Sequence, residues 1–132
     1  MSDQEILLHC FEVVAQTGTD LTPAVYERFT RDMPEAIQHI GIMDERMRGR
    51  MLDQVYKLLL EETDSEYLKF ETDMHRGYGA DTALYRGILQ AVKGAVADCM
   101  GDRWSTHEDE AWNRSIDHLI DEIKNTQASA AI

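Results

Sequence analysis

The apolar residues of this chain recur at helical spacing almost from end to end, and that regularity excludes most folds. No run alternates apolar and polar residues for the length of a strand. The chain has two prolines, Pro23 and Pro34, and both suit the first turn of a helix better than an interior. No repeat, low-complexity tract or linker interrupts the pattern. The spacing predicts an all-α domain of unequal helices joined by short turns, unlike a bundle of four equal helices.

Boundary signals divide the pattern. In "SDQE", Ser2 and Glu5 form a capping box. A stripe of Ile6, Leu7, Cys10, Phe11 and Val14 follows, and "TGTD" ends it. "LTP" opens a second helix, with Thr22 as its cap and Val25, Tyr26 and Phe29 inside. A short helix follows Pro34 through Ile37 and Ile40. From Met43 to Glu62, the residues Met47, Met51, Val55, Leu58 and Leu59 make one stripe. "SEYLKFETDMH" reads as a short helix capped by Ser65 and broken by Gly77. Asp81 to Met100 is a long helix with Leu84, Ile88, Val92, Val96 and Cys99 on one face, stopped by Gly101. Ser105 and Glu108 form a second capping box before Trp112, Ile116, Leu119, Ile120 and Ile123.

At 132 residues the chain is expected to be one domain, 1–132, long enough to bury a real core. Its formal charge of −12 argues against binding nucleic-acid backbones or anionic membranes. Cys10 and Cys99 lie far apart, outside any C-x-x-C pair and on apolar helix faces. They read as buried thiols in a reducing, cytoplasmic protein. The N-terminus lacks a signal-peptide pattern, and no apolar stretch reaches membrane-spanning length. Histidines 9, 39, 107 and 118 make no metal-ligand spacing, and no nucleophilic triad or phosphate loop stands out. The acidic runs Glu61–Glu62 and Glu108–Glu110 read as solvated helix faces.

One stretch remains, "HRGYGADTALY", from His75 to Tyr85. A histidine closes a helix, two glycines flank Tyr78, and a tyrosine follows early in the next helix. Such a histidine on its own most often caps carbonyls at a helix end. Here the order resembles the proximal corner of bacterial globins, the family of flavohaemoglobin haem domains and single-domain globins. Upstream, "LTPAVYERFTRDMPE" is similar to the second helix of that family. Downstream, "DEAWNRSIDHL" is similar to its last helix. The resemblance runs from about Leu21 to Ile123.

The resemblance implies a globin-like fold and haem b, with His75 as the axial iron ligand. Tyr78 and the glycines would shape the corner beside the haem edge, and Tyr85 would support the histidine from the next helix. On the distal side it implies Tyr26 with its hydroxyl toward the bound gas. A gapless continuation puts Arg50 and Gln54 at the two distal positions of the long fourth helix. A one-residue slip would give Met51 and Val55 instead, an apolar pocket. The gapless register is preferred because it turns Met47, Met51 and Val55 toward the core.

The implied function is reversible binding of O₂, NO or CO. Turnover of NO would need a separate reductase, since no flavin domain follows. The alternative is a globin-fold sensory or regulatory module without haem, acting through a signalling partner. Glu71 one turn before His75 favours it, as does the missing phenylalanine that wedges the haem in the family, where His39 or Ile40 stands. A homodimer is compatible with either.

Overall fold

A computed structural model describes residues 2–41, 43–60 and 82–130. Six α-helices are described: α1 (Asp3–Thr17), α2 (Thr22–Asp32), α3 (Ile37–Ile40), α4 (Glu45–Leu60), α5 (Thr82–Met100) and α6 (Thr106–Ala130). Single 3₁₀ turns at Pro34–Ala36 and Gly101–Arg103 lead into α3 and out of α5. The described residues contain no strand, so the chain is all-α as its periodicity predicts. None of these helices is long and apolar enough to cross a membrane. The expected helix from Ser65 to His75 lies outside the described residues.

Local chemistry sets the helix ends. The Ser2 hydroxyl accepts from the Glu5 N–H at 3.2 Å and opens α1. Gly18 closes it at φ +71°, a conformation that costs other residues free energy, with its N–H on the Ala15 carbonyl. At α2 the expected cap is corrected. Thr22 is already helical, and its orphan N–H is taken by the Asp20 carboxylate at 3.0 Å. Asp44 caps α4 by accepting from the Met47 N–H at 2.8 Å. At α6 the predicted capping box is present. Ser105 Oγ accepts from His107 N–H, and Glu108 Oε2 accepts from Ser105 N–H.

The helices assemble on two contacts. α2 lies across α5 in the most extensive helix–helix contact of the fold. α1 packs on both α5 and α6, which also pack on each other. Gly87 makes the α2–α5 approach close, because a Cβ there would press on the Met33 side chain and lie 3.1 Å from Phe29 Cε1. Trp112 of α6 is fully buried. Its ring meets Phe11 at 5.5 Å between centroids and Trp104 at 6.0 Å, and Phe11 continues to Tyr56 of α4 at 5.1 Å. Tilted aromatic pairs of this kind add to the area they bury. Surface ion pairs Arg114–Asp3, Arg86–Asp117 and Lys93–Asp109 join neighbouring helices, each worth little on its own.

The buried stripe of α4 is Leu52, Val55 and Leu59. Met51 and Leu58 pack half-buried beside it. Met47 does not turn inward as expected: it is 48% exposed, about 140° around the helix from Leu52, the first buried position. Cys10 is buried as predicted, and burial pushes its thiol up from the ordinary value. Cys99 is only half-buried, with its Sγ 3.4 Å from Thr17 Oγ1.

These burials set the stability of the fold. Leu52 is 1% exposed, so Leu52→Ala should cost about 2–5 kcal/mol in urea unfolding. Leu8, at 48% exposed, should lose no more than about 0.5 kcal/mol on the same change. Equal losses at the two positions would contradict this core.

Candidate functional site

Tyr26 is the predicted site residue whose surroundings are fullest. It falls on the buried side of α2, between Val25 and Phe29 in the core stripe. Its ring is buried, but the hydroxyl reaches α4 and donates to the backbone carbonyl oxygen of Arg48 at 2.9 Å. The Arg48 guanidinium lies over the same ring, 5.5 Å from its centroid. Burial pushes the Tyr26 phenol up to about 12, against the opposing pull of Arg48, so it stays a protonated donor at neutral pH.

The α4 residue at Tyr26 is therefore Arg48. Two residues along an α-helix turn the side chain by about 200°, so Arg50 lies on the far side of α4 and is exposed. Gln54 is half-buried and stands roughly 120° from the direction of Arg48. Tyr85 is buried in α5, next to Leu84 and Ile88 in the core. His75 and Tyr78 lie outside the described residues, as does Glu71. Arg48 was legible in the sequence: Arg48, Leu52, Val55 and Leu59 form one stripe once Leu52 replaces Met47 in the count.

Two sides of α4 now differ in chemistry. On one side an open cleft of about 940 Å³ runs between α2, α3 and α4. Tyr26, Arg48 and Gly49 form part of its wall, with the carboxylates of Asp20, Glu27 and Glu45 around them. On the other side Met51 and Leu58 are half-buried and pack against the core in which Val55 is buried. The described residues contain no cluster of three or more His, Cys, Asp or Glu side chains that could hold a metal ion.

No protein-family model matches the chain, and no curated protein matches it either.

The rim of the cleft carries its own acid dependence. The Thr22 N–H, followed by the Thr22 hydroxyl, holds the Asp20 carboxyl below its ordinary 3.8. A lowered carboxylate contributes stability that is complete above its ordinary value and fades as pH falls through the lowered one. Asp20→Ala should therefore cost about 1 kcal/mol near pH 7, and the difference from wild type should shrink in acid. Thermal unfolding of both proteins between pH 7 and pH 2.5 checks it. A difference that stays constant to pH 2.5 would mean that Asp20 is not the cap.

Proposed function

We propose that this chain is a haem-binding globin-like protein that takes up a diatomic gas reversibly. The observation that carries the reading is the histidine–glycine–tyrosine corner from His75 to Tyr85, together with a buried tyrosine where α2 meets α4. The order of the helices also supports it. α2 packs extensively on α5, and the long last helix packs on the first.

A porphyrin needs apolar walls, and the two sides of α4 differ in offering them. The α2–α4 cleft, with three carboxylates, does not suit a porphyrin face. The side of Met51 and Leu58, half-buried against the core beside Val55, is apolar. This favours the one-residue slip over the gapless register, so the distal wall is Met51 and Val55, and Arg50 stays in water. His75 would hold the iron, with Tyr85 behind it on α5. The group, when bound, supplies the iron site at which a gas is held. The protein's part is to exclude water from that site and to orient the imidazole.

One observation favours the second reading, a globin-fold regulatory module without haem. The only proton of the Tyr26 hydroxyl is already donated to Arg48's carbonyl, where a gas-binding tyrosine would offer it to the ligand.

Replacement of the proposed ligand tests the first reading. His75→Ala should abolish the sharp absorption band that appears when haemin is added to the wild-type protein, and His107→Ala should leave it intact. An unchanged spectrum in His75→Ala would refute the axial assignment.

A further inference from the structure

The first two turns of α4 combine features that weaken a helix. Gly49 stands inside the helix with open space where a Cβ would be and without a positive φ, so neither packing nor backbone conformation calls for glycine there. A glycine in a helix interior loses more conformational freedom on folding than alanine does. Arg46 lies in the first turn, where the helix dipole disfavours a cation. Arg50 follows four residues on with the same charge, and both are exposed. No side chain of residues 45–50 is buried. Met43 before them and Met51 after them pack half-buried on the core, and Leu52 is the first buried position of α4. The described contacts that hold the segment are polar. Asp44 accepts from the Met47 N–H at 2.8 Å. The Tyr26 hydroxyl donates to the Arg48 carbonyl, and the Arg48 guanidinium covers the Tyr26 ring. Glu45, Arg46, Arg48 and Gly49 line the open cleft from α4, and Tyr26 lines it from α2.

We propose that residues 45–50 form a flap that lifts off α2 as one unit, hinged at Met51 and Leu52, and opens the α2–α3–α4 cleft down to the Tyr26 ring. Tyr26 is its clasp. The hydrogen bond and the guanidinium–ring contact both join Tyr26 to Arg48, so they break together. Lifting costs the hydrogen bonds of two turns and little of the hydrophobic term, because the one large apolar side chain in the segment, Met47, is already exposed. Leu52, Val55 and Leu59 keep the rest of α4 in place. The closed cleft offers mainly polar groups, and Tyr26 is buried in its wall. The lifted flap adds an aromatic face to it. The cleft therefore gains its apolar surface by a local opening, with no change in the packing of α1, α5 and α6. This device is independent of whether the protein binds haem.

Residue-resolved hydrogen–deuterium exchange and nitration by tetranitromethane test the flap. The amides of residues 48–51 should open with one shared free energy, below that of the α4 amides beyond Val55. Tyr26→Phe keeps the ring and removes the donor of the clasp, and it should speed these amides together, roughly fivefold. Gly49→Ala should slow them together by roughly the same factor. In both variants α5 and α6 should stay as protected as in wild type. Nitration of Tyr26 should slow roughly fivefold in Gly49→Ala, with nitration of Tyr56 unchanged. Protection that rises residue by residue across 48–51 would mean fraying from the helix end and would overturn the proposal. So would unaltered exchange in either variant, a change spread equally over the protein, or Tyr26 nitration that does not respond to Gly49→Ala.

Discussion

The crossing of α2 over α5 at Gly87 is the contact on which the remaining arrangement depends. The missing Cβ lets the Phe29 and Met33 side chains settle onto the α5 backbone. Close packing converts such an approach into dispersion energy that a gap of less than 1 Å would largely forfeit. Tyr26 stands one turn before Phe29 on the same face of α2, so the crossing also fixes where its hydroxyl points. α5 in turn carries Val92 and Val96 into the layer formed with α1 and α6, where Trp112 is enclosed. A shift at Gly87 would therefore reach both the aromatic core and the α2–α4 contact.

α4 stands apart from that frame because its two ends are held by different forces. Its second half is packed through Leu52, Val55 and Leu59. Its first half is exposed and polar, and Asp44 and Tyr26 hold it with hydrogen bonds. Burial of an aliphatic side chain is non-directional and hard to reverse locally, whereas one hydrogen bond can be exchanged for another of similar strength. Local stability within one helix can therefore differ strongly from end to end.

Helix existence was plain in the sequence because the period of the apolar residues is a direct trace of the core. Leu84, Ile88, Val92 and Val96 are all buried where that period puts them, and the box of Ser105 and Glu108 opens α6. What failed were judgements of one or two residues. Thr22 yielded its capping role to Asp20 because several polar residues precede Pro23 and any of them could reach the first free N–H. Met47 was counted inward because methionine is apolar enough to mimic a core residue yet flexible enough to lie in water, as it does. Arg48 was passed over in the run "DERMRGR" because a charged residue was not counted on the apolar stripe of Leu52, Val55 and Leu59, where it stands. The Tyr26 hydroxyl finds its partner in backbone, which no side-chain pattern encodes.

The account stands or falls on whether the apolar flank of α4 and the corner at His75 together hold one haem. Titration of the haem-free protein with haemin, followed by visible absorption, measures this directly. The account predicts a sharp band that rises linearly and breaks at one haem per chain. After reduction under CO, that band should shift as expected for a histidine-ligated iron. A broad band that climbs without saturating, or a break at well under one haem per chain, would contradict it.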